Sequence, residues 1–260
     1  MPRRRASPAP PPAPAAARGS AGSPNPVGST VSAGSHRTRG REERRLRIIG
    51  GQWRGRKFRF PALSLRPTPD RVRETLFNWL QGRIVGAHCL DLYAGSGALG
   101  LEALSRGAAS VTFVEQQRGA ADALERLLRD WQAGGWIVAC AQARTFLAAR
   151  GSVYAAARAG HTGGAALTTG AGLTAAAGVG GGAGPFDLVF LDPPFGSGEL
   201  PAALAALEQG WLAPGGRIYV EHARGEPLPA LPAQWQELRA GTAGEVGYHL
   251  LVAAAGTTSE

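Results

Sequence analysis

Short apolar runs alternate with helical segments through most of this chain, and that alternation limits the possible folds more than any other feature. The runs HCLDLY, SVTFVE, WIVACA, FDLVFLD and GRIYVEHA are β-like, and segments with apolar residues at helical spacing separate them. Strands that alternate with helices build a parallel sheet with covering helices. Residues 235–253 add two β-like runs around GTAGEVG, which predict a closing antiparallel hairpin. The sequence therefore predicts an α/β fold.

A smaller unit, residues 45–82, precedes this α/β region. β-favouring runs flank a glycine-rich turn in residues 46–61, and this pattern predicts a hairpin with a bulged turn. Apolar residues at helical spacing follow Thr68 and Pro69, which suit an N-cap and a first helical position. We therefore expect a helix over residues 69–81.

Three other segments differ in composition from the α/β domain, which we place at residues 83–253. Residues 1–44 are basic and rich in Pro and Ala, with too few large apolar residues to offset the entropy lost on folding, so we expect disorder there. The C-terminal residues 254–260 are expected to be disordered as well. Within the domain, residues 151–184 contain 11 Gly and 11 Ala in 34 positions, which predicts a flexible surface insertion.

The sequence favours a cytoplasmic protein. It has no stretch of 18 apolar residues, so no membrane-spanning helix and no membrane partner are expected. The acid-free start resembles an organelle transit peptide, but five prolines between positions 8 and 14 would break the amphipathic helix of such a peptide. A secretory signal is not expected because a compact apolar region is missing. The two cysteines, Cys89 and Cys140, suit a reducing compartment and are expected to be small core residues.

The net charge of +9 is concentrated near the N-terminus. Residues 1–59 contain 14 basic residues against Glu42 and Glu43, whereas residues 60–260 contain 14 basic and 17 acidic residues. A basic N-terminal part on a nearly neutral body is typical of an enzyme that binds a polyanion. We therefore expect a nucleic-acid partner, contacted by the outer face of the hairpin through Arg47, Arg54, Arg56, Lys57 and Arg59.

A glycine-rich turn directly follows the first strand of the α/β region. In DLYAGSGALG, residues 91–100, three glycines have the G-x-G-x-x-G spacing of a dinucleotide site, and Glu115 lies 20 residues beyond the first of them. An acid at that distance can hold ribose hydroxyls, so an NAD-dependent enzyme is one interpretation. The turn alone is ambiguous.

A second motif, FLDPPF at residues 190–195, stands at the end of the fourth strand and distinguishes between the interpretations. Two prolines after an apolar strand end its pairing and fix a rigid turn. Asp192, the carbonyl of Pro193 and the ring of Phe195 then share one edge of a cleft. Two acceptors and an aromatic ring suit the exocyclic amine of a flat base, whereas a hydride-transfer site has no use for them.

Together these motifs resemble the S-adenosylmethionine-dependent amino-methyltransferases, and in particular the bacterial 16S rRNA guanine-N2 methyltransferases that act at guanine 966. The segments that carry the resemblance are RIIGGQWRGRK (47–57), RPTPDRVRETLFNWL (66–80), CLDLYAGSGALGLEALSRGA (89–108) and FLDPPF. It extends over roughly residues 47–252 apart from the insertion, which is not part of the family pattern. A second departure is Gln142, where the family often has Asp or Asn for the adenine amino group.

The resemblance implies a Rossmann-like class I methyltransferase fold. Such a fold has a mainly parallel seven-stranded sheet with a C-terminal antiparallel hairpin, here preceded by the N-terminal hairpin and helix. The implied methyl donor is S-adenosylmethionine. The implied acceptor is the exocyclic N2 of a guanine in 16S rRNA, within an assembled or assembling 30S subunit.

The resemblance also assigns residues to these roles. The implied donor-binding residues are Asp91, Gly95, Ser96, Gly97, Glu115, Gln142 and Ala143. The implied catalytic residues, which would grip the guanine amino group and stack on the base, are Asp192, Pro193 and Phe195. The implied RNA-binding set adds two residues near the predicted helix to four from the hairpin, and it consists of Arg47, Arg54, Arg56, Lys57, Arg66 and Arg71.

Two other functions remain open from the sequence. One is an amino-methyltransferase that acts on adenine in a nucleic acid or on a protein amide. The other is a non-catalytic RNA-binding assembly factor with a vestigial donor pocket, although the intact Asp91, Glu115 and Asp192 argue against it. The five histidines are scattered without ligand spacing, so we expect no metal site, and we expect a monomer.

Overall fold

The computed structural model describes residues 43–61, 68–149, 166–168, 174–177 and 185–253. Within these residues it contains eleven strands and five helices. The strands are β1 (Glu43–Arg47), β2 (Lys57–Pro61), β3 (His88–Asp91), β4 (Ser110–Glu115), β5 (Trp136–Cys140), β6 (Ala166–Thr168), β7 (Thr174–Ala177), β8 (Phe186–Leu191), β9 (Leu212–Ala223), β10 (Trp235–Ala243) and β11 (Val246–Ala253). The helices are α1 (Asp70–Trp79), α2 (Ala98–Ser105), α3 (Arg118–Asp130), α4 (Ala143–Ala148) and α5 (Glu199–Leu207).

Nine of the strands form one sheet in the order β10-β11-β9-β8-β3-β4-β5-β7-β6. Neighbouring strands from β9 to β5 pair in parallel, whereas β11 lies antiparallel between β9 and β10. The seven strands from β10 to β5 in this order form a mainly parallel sheet that an antiparallel hairpin closes. The predicted α/β fold is confirmed.

The edge of the sheet beyond β5 differs from the prediction. The residues expected to form only a flexible insertion, 151–184, contain β6 and β7, which pair with each other and with β5 in antiparallel register. An edge strand offers unpaired N–H and C=O groups, so a segment without a hydrophobic pattern can join it through backbone hydrogen bonds alone. The rest of the insertion and the predicted disordered segments 1–42 and 254–260 lie outside the described residues. β1 begins at Glu43, inside the range predicted to be disordered.

The predicted N-terminal hairpin is confirmed, and its turn lies against α2. β1 and β2 pair antiparallel, with Arg47 opposite Lys57. Gly51 in the turn has a φ of 76°, and a Cβ there would be 1.8 Å from the carbonyl oxygen of Ser105. That same oxygen accepts the N–H of Gln52 at 2.7 Å. Only glycine allows both the left-handed conformation and this close approach.

A buried carboxylate fastens the hairpin to the α/β domain. Glu102 of α2 has no exposed surface, and its two oxygens accept the N–H groups of Gly50 at 2.7 Å and Ile49 at 2.8 Å. The Nε of Arg106 donates to the same carboxylate at 2.7 Å, and Nη1 of Arg73 lies 3.7 Å from it. The hairpin backbone, α1 and α2 therefore meet at one carboxylate.

Arg73 extends this cluster toward the start of α1. Its guanidinium is fully buried, and Nη2 donates to the carbonyl oxygen of Arg47 at 3.0 Å and to Oδ1 of Asp70 at 2.6 Å. Burying an arginine is costly unless its charge is paired. The two carboxylates of Asp70 and Glu102 supply that pairing.

The first turn of α1 differs from the prediction that Thr68 caps the helix. The helix begins at Asp70 with Pro69 in the N-cap position, and no side chain makes a capping hydrogen bond. The hydroxyl of Thr68 donates instead to Asp192, at 3.4 Å from Oδ2. The predicted apolar stripe does face the core, with buried side chains at Val72, Leu76 and Leu80.

Hydrophobic clusters cover both faces of the sheet. Successive residues of β4 face opposite sides, with Phe113 in one cluster and Val114 in the other. Cys89 is a buried core residue as expected, whereas Cys140 at the end of β5 is only half-buried. Among the helices in the described ranges, none is both long and apolar enough to cross a bilayer.

Replacing Glu102 by Gln should destabilise the protein by about 3 kcal/mol or more, because the buried guanidinium of Arg73 would lose one of its charge partners. Chemical denaturation measures the difference in unfolding free energy. The matched control is Glu125→Gln, which removes a carboxylate paired with Arg129 on a partly exposed face of α3 and should cost less than about 1 kcal/mol. Equal losses in both variants would show that the Glu102 cluster does not fasten the hairpin.

Candidate functional site

A cavity of about 650 Å³ opens at the carboxyl ends of β3 and β8. β3 pairs with β4 on one side and β8 on the other, so the order of the strands reverses here. Ligands of open α/β sheets bind at such switch points. The glycine-rich turn and the DPPF segment both line this cavity, together with the tip of the β10–β11 hairpin and the segment before α1.

Asp91, the last residue of β3, holds the glycine-rich turn in place. Its side chain is 3% exposed, and Oδ2 accepts the N–H of Gly100 in the first turn of α2 at 3.0 Å. Burial raises the pKa of Asp91 to about 7, and the nearby charge of Glu115 adds to the rise. The carboxylate therefore caps α2 while it lines the cavity.

The glycines of the turn have different tasks. Gly95 and Ser96 line the cavity, whereas Gly97 does not. Gly97 has a φ of 75°, and a Cβ there would be 2.6 Å from Cδ1 of Leu124 on α3. A Cβ at Gly100 would be 2.2 Å from Cε1 of Phe113. The second and third glycines thus serve the turn conformation and helix–strand packing, and of the three only Gly95 is a cavity residue.

Glu115, at the end of β4, supports the same turn from the neighbouring strand. Oε2 accepts the N–H of Gly95 at 2.9 Å, and Oε1 accepts the N–H of Gln117 at 2.7 Å. Burial raises the pKa of Glu115, while these hydrogen bonds act in the opposite direction. Glu115 lines a small pocket of about 120 Å³ that shares Tyr93 and Pro194 with the main cavity.

Gln142 and Ala143 lie at the start of α4, beyond this small pocket. Ala143 lines the small pocket and a further cavity of about 560 Å³, whereas Gln142 lines only the latter and is exposed. Tyr93 lines all three cavities and so connects them. Apart from Gly97, the predicted donor-binding residues therefore lie along a connected surface from Asp91 to Gln142.

Asp192 and Thr68 form the opposite side of the main cavity. Both line it, and the Thr68 hydroxyl donates to the Asp192 carboxylate. Burial raises the pKa of Asp192 well above its usual range, and the negative charges of Glu221 and Asp91 add to the rise. The DPPF carboxyl thus lies in a low-dielectric environment with other acids close by.

Glu221 on β9 is a cavity residue that the sequence analysis missed. It is 2% exposed, and its Oε1 accepts a hydrogen bond from the hydroxyl of Tyr219 at 2.8 Å. It also hydrogen-bonds to Thr68, and burial raises its pKa to about 7. A signal was present in the sequence, because GRIYVEHA has an acid near the end of an apolar strand, at the edge of the sheet where the motifs meet.

Pro193 and Phe195 complete the DPPF edge. Pro193 is buried and lines the cavity, and the turn that follows it is closed by a hydrogen bond from the Ser197 N–H to the Pro194 carbonyl at 3.1 Å. The Phe195 side chain lines the cavity and is 44% exposed. An aromatic ring that remains accessible at a cavity mouth can stack on a flat ligand.

The basic residues of the hairpin form an exposed surface beside two aromatic rings. Arg54, Arg56 and Lys57 are exposed, and the Arg56 guanidinium lies 4.4 Å from the ring centroid of Trp131. The Trp53 ring packs edge-on against the same Trp131 at 5.0 Å between centroids. The hairpin therefore presents exposed positive side chains on a folded element.

The other predicted RNA-binding residues differ in their surroundings. Arg47 is exposed, but its Nε pairs with Oδ2 of Asp70 at 2.8 Å. Arg71 is exposed on α1 and does not line the main cavity. Arg66 lies outside the described residues. Within the described part of the chain, no group of three or more His, Cys, Asp or Glu is arranged to hold a metal ion.

Comparisons with known proteins agree with this architecture. The chain matches the family described as "Conserved hypothetical protein 95" over residues 46–154 and 164–252. It is 44% identical over 207 residues to ribosomal RNA small subunit methyltransferase D of Escherichia coli (strain K12), which covers 79% of this chain and 88% of that protein. It is 38% identical over 209 residues to the protein of the same name from Haemophilus influenzae, covering 79% of this chain and 92% of that protein.

The similarity extends to three-dimensional structure. The solved structure of yhhF from Escherichia coli superimposes with a TM-score of 0.63 at 41% sequence identity, covering 81% of this chain and 99% of that one. The sheet order and the closing antiparallel hairpin are those of the Rossmann-like class I methyltransferase fold. From the extent of these matches, the chain belongs to the ribosomal RNA small subunit methyltransferase D family.

Proposed function

We propose that this protein transfers a methyl group from S-adenosylmethionine to the exocyclic N2 of a guanine in 16S rRNA, the nucleotide being guanine 966. The observation that carries the proposal is the meeting of the glycine-rich turn and the DPPF segment at one cavity. The name of the relatives, ribosomal RNA small subunit methyltransferase D, supports an rRNA substrate. An NAD-dependent reaction is disfavoured because the DPPF edge offers acceptors for an amino group.

The residues around the glycine-rich turn fit S-adenosylmethionine. The cavity volume lies in the range of small-molecule sites. Gly95 and Ser96 would hold the methionine end with Asp91, and Glu115 would bind the ribose hydroxyls. The two Glu115 oxygens accept backbone N–H groups of Gly95, Gln116 and Gln117, which leaves acceptor capacity for a hydroxyl. Ala143, with Gln142, would lie near the adenine. When bound, S-adenosylmethionine supplies an electrophilic methyl group on a positively charged sulfur.

The DPPF edge would hold the target base. The Asp192 carboxylate and the Pro193 carbonyl would accept the two N2–H groups of guanine, and the exposed ring of Phe195 would stack on the base. Stacking on an aromatic side chain and hydrogen bonding to base edges are the usual means of holding an extruded nucleotide. These three residues would fix the nitrogen in line with the methyl group.

Asp192 would act mainly by electrostatics and placement. The lone pair of guanine N2 is delocalised into the ring, so the nitrogen is a weak nucleophile. Hydrogen bonds from N2 to Asp192 and Pro193 favour a more pyramidal nitrogen and stabilise the positive charge that develops on it. The surplus proton leaves N2 after the methyl group has been transferred, and the nearby carboxylate can receive it.

The hairpin would position the RNA. Its exposed cations, Arg54, Arg56 and Lys57, lie on a folded element and can meet phosphates at fixed geometry. We expect Arg47 to contribute less to RNA binding because its charge is already paired with Asp70. Arg66 and Arg71 are proposed to contact RNA next to the start of α1.

An rRNA substrate also bears on the state of the protein, its substrate particle and its location. We propose that the protein acts as a monomer without a metal ion on assembled or assembling 30S subunits. Because its substrate would be the small ribosomal subunit, we propose that it works in the cytoplasm. A methyl-transfer assay with labelled donor on unmodified 30S subunits, naked 16S rRNA, DNA and protein tests this assignment, and label in DNA or protein alone would contradict it.

Asp192→Ala should lower turnover by about two to three orders of magnitude, since it removes an acceptor that strengthens in the transition state. Phe195→Ala should also lower turnover, through a lost base stack of about 1–3 kcal/mol. Donor affinity by calorimetry should change little in either variant. Asp130→Ala, at the exposed end of α3, is the matched control and should leave turnover unchanged. Near-normal turnover of Asp192→Ala would refute the assignment.

Turnover and stability should respond to pH in opposite directions. Burial raises the pKa of Asp192 and places that of Glu221 at about 7, so acidification from about pH 8 to 6 should protonate these acceptors and slow the reaction. A carboxyl whose pKa is raised by folding binds its proton more tightly in the folded state. It therefore stabilises the protein below its unfolded pKa of about 4, and this contribution is lost as the pH rises through the folded value.

The variant Asp192→Asn isolates this effect. Asparagine carries no charge, so the variant removes the free-energy cost of an ionised Asp192 beside other acids. The melting temperature at pH 8 should rise relative to wild type by about 2–4 °C for each kcal/mol of that cost, and it should rise by less at pH 5. Thermal melts of both proteins at the two pH values measure the difference. A larger gain at pH 5 than at pH 8 would contradict the raised pKa of Asp192.

The triple variant Arg54→Ala, Arg56→Ala, Lys57→Ala should weaken RNA binding and flatten its salt dependence. Each lost phosphate contact should reduce the slope of log affinity against log salt by somewhat less than about one unit. Deletion of residues 1–40, which leaves β1 intact, should weaken binding at low salt but spare most methylation at physiological salt. Binding isotherms over a salt series compare the two. If only the deletion abolishes methylation, the recognition surface lies in the N-terminal segment.

A further inference from the structure

Glu221 and Asp192 lie side by side at the carboxyl ends of two neighbouring parallel strands. Leu191, the last residue of β8, is in register with Val220 of β9, and the residues that directly follow these two are Asp192 and Glu221. Both line the main cavity; the hydroxyl of Thr68 donates to Oδ2 of Asp192 at 3.4 Å and also lies within hydrogen-bonding reach of Glu221, so that its single proton can be donated to either carboxyl group. The acceptor side of the cavity therefore contains two carboxyl groups joined by one hydroxyl.

Within the described part of the chain, this pair lacks the cation that usually compensates acids removed from water: neither Asp192, which is half-buried, nor Glu221, which is buried, forms an ion pair there. Carboxyl groups that are shielded from water without a cation are costly for folding. The buried Glu102, by contrast, has two arginines and two backbone N–H groups. The cavity pair is therefore arranged to receive donors from a ligand.

Tyr219 fixes the direction of the Glu221 carboxyl group. The tyrosine has no exposed surface, and its hydroxyl donates to Oε1 of Glu221 at 2.8 Å. The Tyr219 ring packs against Tyr248, with 6.5 Å between centroids. A functional side chain whose rotamer is held by such a partner can discriminate between ligands.

The hydrogen-bond donors of guanine match this set of acceptors. Its Watson–Crick edge carries the N1–H beside the N2 amino group, whereas adenine and 2-aminopurine have an unprotonated N1 that can only accept. Asp192 and the Pro193 carbonyl would each accept one of the two N2–H groups. The N1–H therefore needs a third acceptor on the same side of the cavity. Of the other carboxyl groups that line the cavity, Asp91 accepts the N–H of Gly100 and Glu245 lies at the tip of the β10–β11 hairpin, whereas Glu221 lies beside Asp192 on the adjacent strand.

We propose that Glu221 accepts the N1–H of the target guanine and is thereby a specificity-determining residue of the acceptor pocket. The inference rests on the proposed function, since it requires a purine with an amino group at position 2. Thr68 would hold the two carboxyl groups apart, and Tyr219 would act as a positioning residue for Glu221. A purine that presents a lone pair at N1 would face a carboxylate and be rejected.

The test uses 30S subunits reconstituted from ligated 16S rRNA with either guanine or 2-aminopurine at the target position. 2-Aminopurine keeps the amino group at position 2 but has neither the N1–H nor the O6 of guanine, so the Glu221 variant is needed to assign a rate difference to N1. Wild-type enzyme should methylate guanine with a kcat/KM at least about 10-fold above that for 2-aminopurine, as expected for the loss of one base-edge contact. Equal rates on the two bases would overturn the proposal.

Glu221→Gln should bring the ratio of the two rates close to unity. An amide can accept from N1–H or donate to a bare N1, so the variant should lose rate on guanine and keep or gain rate on 2-aminopurine. Tyr219→Phe should lower the ratio by a smaller factor. Glu208→Gln, an exposed acid directly after α5 and remote from the cavity lining, is the matched control and should leave the ratio unchanged.

The outcomes separate this inference from the proposed function. If wild-type enzyme methylates guanine in the subunit and Glu221→Gln keeps the wild-type ratio at normal donor affinity, Glu221 does not read N1 and only the inference fails. If wild-type enzyme transfers no methyl group to N2 of guanine in any subunit preparation, the proposed function itself fails, and the inference fails with it.

Discussion

The carboxylate of Glu102 is the contact on which the arrangement of the molecule depends. It accepts two backbone N–H groups of the hairpin turn and pairs with Arg73 of α1 and with Arg106, which directly follows α2. Backbone donors fix the hairpin more precisely than exposed side chains would, because they have no rotamer freedom. The basic hairpin surface and the segment that brings Thr68 into the cavity are therefore held in a defined position relative to the glycine-rich turn and the DPPF edge.

The acids of the cavity, unlike Glu102, are close to one another. Glu102 is compensated by cations, whereas the buried Asp91 and Glu221 and the half-buried Asp192 line one cavity and have raised pKa values. Such a cluster lowers the stability of the folded protein at neutral pH, and it is retained where ligands supply the missing donors. A sulfonium donor and an amino group that becomes positively charged during transfer both suit an acidic pocket.

Local patterns in the sequence predicted the parts of the fold and site that local chemistry decides. The alternation of strands and helices, the turn at Asp91–Gly100 and the rigid DPPF segment each need only neighbouring residues. The contact of Thr68 with Asp192 and the pairing of Arg73 with Glu102 join distant segments, so spacing along the chain does not reveal them. Glu221 had a local signal, an acid near the end of an apolar strand, but only the register of β9 with β8 places it beside Asp192. The composition of residues 151–184 did not indicate that β6 and β7 would pair with the edge of the sheet. Gly97 fits a ligand-binding pattern, yet its neighbour is Leu124.

The chemical identity of the methylated nucleoside tests the central claim most directly. Unmodified 30S subunits would be incubated with the protein and labelled S-adenosylmethionine, and the 16S rRNA would then be digested to nucleosides and analysed by mass spectrometry. The account predicts label in N2-methylguanosine, from a single position of the rRNA. Label on N7 or N1 of guanosine or on adenosine would contradict the proposed reaction, in which Asp192, the Pro193 carbonyl and Phe195 would present the N2 amino group.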